Sequence, residues 1–348
     1  MDTIQIAIKL NENRVRGISY EVLQEASRFI NSIKSSHGHT YCDCLEISTT
    51  GNLIIKVSYP RFFEGINAYL ITSSIECMQV QYEFCLAIWN YELLRDAEII
   101  LNRVDIPFTF MVGPNYSFNS YKKVYQVFNY IYKRKNQKAS PKAFTDIEKF
   151  RAETLIYADT SNIASYNSKI TIYDQYNNIK AKTGDEGALY DLERKYEDLC
   201  KRMRIEVSKR IQRKGFTIEE FRQFDIFREY SEKYKEYILD NILDLNEVEN
   251  FYSESAFYLA NRLLTYREES NNFNYENFIY REIENIYDYE IIRRALKICI
   301  DNSKTREKAI TAIRKVLFRY QLDENMIIME TYKTIKDIRS AIEHYFIS

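Results

Sequence analysis

The chain has 348 residues, of which 45% are apolar, and a formal net charge of −1. This is enough apolar material for two domains rather than one, and the near-neutral balance excludes a nucleic-acid-binding surface over the whole protein. No apolar run approaches membrane-spanning length, and the six scattered cysteines indicate reduced thiols. We therefore predict a soluble, cytoplasmic protein with no membrane partner.

Strands and helices alternate in the first part of the chain. Apolar residues at every second position predict a strand over residues 2–10, and helical spacing begins at Ser19. A polar turn at 49–52 predicts a hairpin, and Ser73 or Ser74 can cap the helix that follows. Further strands are expected over 99–112, 154–157, 169–173 and 203–207, and further helices from Ser117 and over 189–200.

Hairpin-linked strands backed by helices predict an α+β domain with a mostly antiparallel sheet over residues 1–214. From Thr217 onward the apolar spacing is helical throughout, with a helix–turn–helix pair expected around 321–325. Residues 215–348 are therefore predicted to form an all-helical C-terminal domain. Its open roles are binding of DNA, binding of a protein partner, and formation of a homodimer.

Charge is unevenly distributed along the chain. Lys and Arg are concentrated at 121–143 and 200–214, whereas 217–290 is rich in Glu and Asp. Basic residues among aromatics suit a helix that follows DNA phosphates, and a solvated helix face is the equal alternative. The candidate DNA-binding residues are Arg103, Lys122, Lys123, Lys133, Arg134, Lys135, Lys169, Lys180 and Arg204.

Two acids, Asp105 and Glu206, lie within apolar strands, and each follows an arginine by two residues. A buried carboxylate is costly unless it is paired or binds a metal. The simple alternative is an ion pair with Arg103 or Arg204, or an exposed strand position. Two such acids would otherwise supply oxygen ligands for Mg²⁺ or Mn²⁺, an ion that polarises a phosphodiester.

Tyr173 is the candidate nucleophile, because it ends a strand beside an Asn- and Lys-rich segment. A phenol has a pKa near 10, so it needs a nearby metal or cation to attack as phenolate. In a chain with 30 tyrosines, packing is the default role for any one of them. Tyr176 is a candidate second acceptor, for which stacking or packing is the stronger alternative.

A histidine pair, His37 and His39, precedes Cys42 and Cys44. Imidazole and thiolate are the ligands that zinc prefers, but this spacing fits no common zinc finger. A loop histidine pair beside core cysteines is the favoured interpretation, with a metal role as the alternative.

Seven short segments occur in order within the first 214 residues. They are Asp2-Thr-Ile-Gln-Ile, Ser58-Tyr-Pro-Arg-Phe-Phe-Glu-Gly-Ile-Asn67, Asn102-Arg-Val-Asp-Ile-Pro107, Ser117-Phe-Asn-Ser120, Thr154-Leu-Ile-Tyr157, Lys169-Ile-Thr-Ile-Tyr-Asp-Gln175 and Met203-Arg-Ile-Glu-Val207. In order and spacing they resemble the replication initiation proteins of phages and plasmids that replicate by rolling circle, including the related initiation factors of conjugative elements.

The resemblance implies a metal-dependent endonuclease that nicks one DNA strand at an origin. Tyr173 would form a 5′-phosphotyrosyl intermediate and leave a free 3′-hydroxyl for a host polymerase, with Asp105 and Glu206 as ligands of Mg²⁺ or Mn²⁺ or as their supports. The partner would be origin DNA, single-stranded or supercoiled, in the cytoplasm of a bacterial host, with a host helicase as a further partner. His37 and His39 resemble the histidine pair that holds the ion in many strand-nicking nucleases.

The chain also departs from that pattern. Gln175 stands where the usual lysine follows Tyr-Asp, and Gly38 stands where the histidine pair usually encloses an apolar residue. Ala158-Asp159 replaces a Gly-Ser pair, and Phe108-Thr109 stands where a second acid is often found. The alternative function is therefore a catalytically inactive DNA-binding or regulatory protein on the same scaffold. A third is an interaction protein built on the acidic C-terminal helices.

Overall fold

The structure is a computed structural model that describes residues 1–10, 19–68, 70–136, 142–143, 154–160, 166–183, 186–211, 213, 215–221 and 224–345. Contacts divide the chain into two compact units. The first comprises Met1–Thr109, Ala158–Tyr237 and Tyr345–Ser348, and the second comprises Phe110–Tyr157 and Ile238–His344. This division differs from the expected boundary at residue 214, because 110–157 group with the C-terminal helices and 215–237 group with the sheet.

The fold is α+β, with an antiparallel sheet and a helical C-terminal region, as predicted. The strands are β1 (Thr3–Lys9), β2 (Cys42–Ile47), β3 (Leu53–Ser58), β4 (Glu98–Met111), β5 (Lys142–Ala143), β6 (Thr154–Ala158), β7 (Ser168–Asp174) and β8 (Arg202–Arg210). Within the first unit the sheet has the order β2-β3-β1-β4-β8-β7. The first strand of the chain therefore lies inside the sheet, between β3 and β4.

Side chains alternate across the sheet, which gives it two different faces. Ile4, Ile6 and Ile8 of β1 are fully buried on one face, while Thr3 lies on the other. Thr3 pairs with Asp105, and the β1–β4 ladder contains a bulge between Gln5 and Ile6. Pro107, which has no N–H to donate, lies beyond the last β1–β4 pair.

The register of β7 and β8 brings the two strands that carry Tyr173 and Glu206 side by side. Tyr173 pairs with Arg204, and Thr171 pairs with Glu206. Because residues two apart share a face, these four side chains lie on one face of the sheet. The intervening Ile172 and Ile205 are buried on the opposite face. Period-2 patterning thus separates an apolar core face from a polar face.

The helices are α1 (Tyr20–Ser32), α2 (Tyr59–Glu64), α3 (Ser74–Asn90), α4 (Lys122–Lys135), α5 (Gln175–Thr183), α6 (Glu186–Lys195), α7 (Ile218–Phe221), α8 (Phe224–Asn241), α9 (Leu245–Glu269), α10 (Tyr275–Glu282), α11 (Tyr289–Cys299), α12 (Ser303–Asp323) and α13 (Thr331–Glu343). The predicted helix start at Ser19 and the cap predicted at Ser73 or Ser74 are confirmed, since the side chains of Ser19 and Ser73 each accept a backbone N–H from the first turn. From Ser117, a short 3₁₀ turn precedes α4.

The second unit is helical over most of its described length. α9 packs against α11, α10 packs against α12, and α4 contacts both α9 and α13. The expected helix pair near the C-terminus is present, but its first helix runs on to Asp323. Among the described residues, no helix combines the length and apolar character needed to cross a membrane.

Candidate functional site

A cavity of about 470 Å³ opens on the polar face of the sheet in the first unit. Its walls come from β1, β3, the segment that follows α2, the end of β7, and α5. The lining residues are Thr3, Lys56, Ser58, Arg61, Gly65, Ile66, Asn67, Tyr173, Gln175, Asn178, Ile179 and Lys182. Three of these residues are basic and none is acidic, so the cavity suits an anionic ligand.

Tyr173 lies at the wall of this cavity, at the end of β7. Its side chain is 7% exposed. Its hydroxyl donates a hydrogen bond to Oε2 of Glu206 at 3.3 Å. Burial raises the pKa of Tyr173 well above 10, the Glu206 carboxylate raises it further, and Arg204 opposes both effects. Tyr173 is therefore a neutral phenol, hydrogen-bonded to an acid and facing a cationic cavity.

Glu206 has the most perturbed environment of the two predicted acids. Its pKa is raised from 4.5 to about 8, first by burial and then by the negative charges of Asp2 and Asp105, with Arg204 opposing these effects. At neutral pH its carboxyl group is thus mostly protonated, and it is half ionised near pH 8. Asp2, which directly precedes β1, joins the two predicted acids at this place. A group with a pKa near the working pH is suited to proton transfer.

Asp105 makes the ion pair that the sequence offered as the simple alternative. Arg103 Nη2 lies 2.9 Å from Asp105 Oδ2, and Asp105 is 4% exposed. Burial raises the pKa of Asp105, and the Arg103 charge partly opposes that effect. Arg103 also donates to the hydroxyl of Tyr166 at 3.2 Å. Lys169 lies over the Tyr166 ring, 4.7 Å from its centroid.

Arg204 is fully buried beneath the cavity. Its Nη1 donates to Oδ1 of Asn67 at 2.8 Å and lies 3.7 Å from Oδ1 of Asp2. Gln175, 1% exposed, donates from Nε2 to the backbone carbonyl of Asn67 at 2.9 Å. Asn67 therefore holds both Arg204 and Gln175. Arg204 acts from below the site, and its burial leaves it no surface to offer a long DNA backbone.

The histidines occupy a turn between α1 and β2. The ring of His37 packs against Phe62 and Phe63, with centroids 5.6 and 5.2 Å apart. His39 lies against Gly65, where an added Cβ would come within 2.9 Å of His39 Nδ1. Within the described part of the chain, no three His, Cys, Asp or Glu side chains form a metal-binding group. The predicted set of His37, His39, Asp105 and Glu206 is thus not brought together.

A smaller site for a divalent ion fits the acids alone. Oδ1 of Asp2 and Oδ1 of Asp105 are buried and have no hydrogen-bond partner among the described residues. Protein-bound Mg²⁺ is often held by one or two carboxylates, with water and substrate phosphate as its other ligands. These two oxygens therefore fit an ion that binds together with a phosphate better than one held by the protein alone.

Two basic residues at the start of α4 are internal, which corrects their prediction as DNA contacts. Lys122 and Lys123 are 5% and 1% exposed. The Lys123 ammonium group donates to the backbone carbonyls of Ile283 and Glu284, at 3.1 and 3.3 Å. Burial lowers the pKa of Lys123 to about 8. Lys123 thus binds the backbone at 283–284 inside the second unit.

The basic end of α4 is largely neutralised within the second unit. Arg134 makes ion pairs with Glu247 and Glu254, both at 2.8 Å, and Lys135 pairs with Asp244 at 2.5 Å. Lys133 is exposed. Residues 137–141, which continue the expected basic stretch, lie outside the described residues. Arg134 and Lys135 are therefore exposed, but their charges are paired with acids of the second unit.

Tyr176 and Lys180 lie on α5 but do not line the cavity. The Tyr176 hydroxyl donates to Glu193, and this bond raises the pKa of Tyr176 to about 12. The ring packs against a small apolar cluster that includes Ile179 and Leu199. Lys180 is exposed. The packing alternative for Tyr176 thus agrees with its surroundings.

Sequence reasoning missed several residues of the site: Asp2, Lys56, Asn67, Gln175 and Lys182. Asp2 and Asn67 stand in segments that carry the resemblance, so their position in those segments was an available signal. Lys56 and Lys182 lie on β3 and α5 and gave no local signal.

Comparisons of the chain with known protein families, with curated proteins and with solved structures found no match in any of the three.

Proposed function

We propose that the first unit nicks one DNA strand at a replication origin, with Tyr173 as the nucleophile. The observation that carries this proposal is the hydrogen bond from the Tyr173 hydroxyl to Glu206, 3.3 Å long, in the wall of a cavity lined by basic and no acidic residues. A candidate nucleophile hydrogen-bonded to a carboxyl group and facing a site that attracts anions is an arrangement suited to phosphoryl transfer.

The proposed reaction is a transfer of the DNA phosphoryl group to the phenol. Glu206 accepts the proton of Tyr173 as the phenolic oxygen attacks phosphorus. The bond from phosphorus to the 3′ oxygen breaks, and that oxygen takes a proton to become the free 3′-hydroxyl. The 5′ end stays on Tyr173 as a phosphotyrosyl ester, which conserves the bond energy for later rejoining. Arg204 stabilises the anionic form of the phenol, whose pKa it lowers.

Asp105 and Glu206 would hold the Mg²⁺ or Mn²⁺ ion. When bound, the ion neutralises negative charge on the phosphoryl oxygens. The Glu206 carboxyl group has a pKa of about 8, so it accepts the proton of Tyr173 once it is itself ionised.

The proposed partners follow from this reaction. They are origin DNA, in single-stranded or supercoiled form, and the host polymerase that extends the 3′-hydroxyl. Recruitment of a host helicase or formation of a homodimer would belong to the helical second unit. The proposed location is the cytoplasm of a bacterial host.

A catalytically inactive DNA-binding protein is the second candidate. One observation favours it: the pKa of Tyr173 lies well above its ordinary value, which disfavours attack as phenolate. Such a protein would bind DNA with steep salt dependence and form no covalent adduct.

Cleavage of supercoiled DNA tests the proposal. Plasmid carrying the DNA that flanks the coding gene is incubated with Mn²⁺ and with wild-type protein, Tyr173→Phe or Tyr176→Phe. We expect nicked circles from the wild type and from Tyr176→Phe, and none from Tyr173→Phe. Undiminished nicking by Tyr173→Phe refutes the assignment. Gel retardation without nicking by the wild type favours the inactive DNA-binding protein, and absence of any DNA affinity favours the interaction protein.

A further inference from the structure

We infer that the cavity binds a phosphate group between the side chains of Lys56 and Lys182. The identification of this group as a phosphate of the DNA strand rests on the proposed function. The inference itself rests on two lysines that line the cavity and have no ion pair among the described residues.

Lys56 and Lys182 come from different parts of the chain and meet at the same cavity. Lys56 lies on β3 and Lys182 near the end of α5, and both are lining residues. In the described part of the chain, neither has a hydrogen bond or an ion pair. The third basic lining residue differs, because the guanidinium of Arg61 is paired with Asp43 at 2.6 Å. Two of the three positive charges are thus free to bind a ligand.

The two lysines are close enough to repel each other. Partial burial lowers the pKa of Lys182, and the positive charge of Lys56 lowers it further, while the carboxyl groups of Asp2 and Glu206 oppose these effects. Like charges held close together are unfavourable, and an anion bound between them reduces that cost. Because no acidic residue lines the cavity, a ligand has no internal carboxylate to displace.

The neighbouring lining residues suit phosphate rather than a simple spherical anion. Thr3 and Ser58 carry hydroxyl groups, and Asn178 carries an amide, and all three line the same cavity. These groups can donate hydrogen bonds to several oxygens of one phosphate, while the lysines act as charges. Tyr173 lines the same cavity, so the bound phosphate lies in the space that the nucleophile faces.

The chain offers one control variant for the position of the lysines and others for their charge. Lys180 lies on α5, two residues before Lys182, and is exposed without lining the cavity. Lys180→Gln therefore removes the same charge from the same helix outside the proposed site. Lys182→Arg and Lys56→Arg keep the charge and should retain binding, which separates loss of charge from loss of fold.

Binding measurements on the full chain test the inference in a Tyr173→Phe background without divalent ions, so that no cleavage occurs. The probes are inorganic phosphate and thymidine 5′-monophosphate, measured by titration calorimetry, and a fluorescent single-stranded oligonucleotide, measured by anisotropy over a salt series. We expect Lys56→Gln and Lys182→Gln each to weaken phosphate binding about tenfold, the size of one charge-assisted hydrogen bond. For the oligonucleotide, each should lower the slope of log affinity against log salt by about 1.

The outcomes separate this inference from the proposed function. Loss of binding in all arms supports a phosphate site used by DNA. Loss confined to the free phosphate and the monophosphate supports the site and assigns it to a free nucleotide. No loss with Lys56→Gln and Lys182→Gln, or an equal loss with Lys180→Gln, overturns it. Wild-type protein that binds phosphate as expected but forms no covalent adduct would contradict only the proposed function.

Discussion

Replacing Glu206 with glutamine should remove a loss of stability that the wild type shows as pH rises. The pKa of Glu206 in the folded protein is about 8, against an ordinary value of 4.5, because burial and the neighbouring acids disfavour its charged form. The folded protein therefore keeps a proton that the unfolded chain releases. The resulting stability is fully present below pH 4.5 and is lost as pH rises through 8. Glutamine resembles the protonated acid at every pH.

The size of the effect follows from these two values. Between pH 6 and pH 8 the unfolded chain carries Glu206 ionised, while the folded protein changes from protonated to half ionised. With 1.36 kcal/mol for each pKa unit, the wild type should lose about 2 kcal/mol of unfolding free energy relative to Glu206→Gln over this range. The variant should be the more stable protein at pH 8.

Urea unfolding at pH 6, 7 and 8, followed by circular dichroism, measures this difference. Comparing the two proteins at each pH removes the contribution of groups that titrate in both, such as Asp288, whose pKa burial raises to about 6. Parallel stability curves for wild type and variant would refute the account of Glu206. So would a wild type that gains stability from pH 6 to pH 8 relative to the variant.

Three further predictions follow from other contacts. Asn67→Ala should lower the unfolding free energy by about 1.5–3 kcal/mol in urea titrations, because it removes the side-chain oxygen that accepts a hydrogen bond from the buried Arg204. A change below about 0.5 kcal/mol would contradict this role of Asn67. Lys123→Ala should lower the unfolding free energy by about 2 kcal/mol in the same assay, since it removes two buried hydrogen bonds and a buried aliphatic side chain. An unchanged urea midpoint would contradict the internal role of Lys123. Replacing the basic residues at 133–135 with glutamine should leave the salt slope of DNA binding nearly unchanged, and a drop of about 3 would restore this segment as a DNA surface.

The polar face of the sheet was accessible to sequence reasoning. Arg103 and Asp105, like Arg204 and Glu206, are two residues apart in apolar strands, and this spacing places each pair on one side of its strand. The hydrogen bond between Tyr173 and Glu206 depends in addition on the pairing of β7 with β8. The sequence therefore predicts each strand separately, but the pairing of residues between neighbouring strands is seen only in the structure.

The role of the basic helix α4 could not be predicted, because its partners are distant in sequence. Arg134 and Glu254 are 120 positions apart, and Lys123 and Ile283 are 160 apart. A local window shows only a run of positive charge, and a DNA surface and a set of ion pairs with distant acids give the same pattern. Lys56 and Lys182 were missed for the same reason, since only the fold brings β3 and α5 to one cavity.

The most direct test of Tyr173 as the nucleophile is to locate the covalent bond between protein and DNA. Wild-type protein is incubated with Mn²⁺ and DNA, the DNA is digested with nuclease, and the tryptic peptides are sequenced by mass spectrometry. The account predicts a nucleotide joined through phosphate to Tyr173, present in Tyr176→Phe and absent in Tyr173→Phe. A nucleotide on another tyrosine, or cleaved DNA with no nucleotide on the protein, would contradict it.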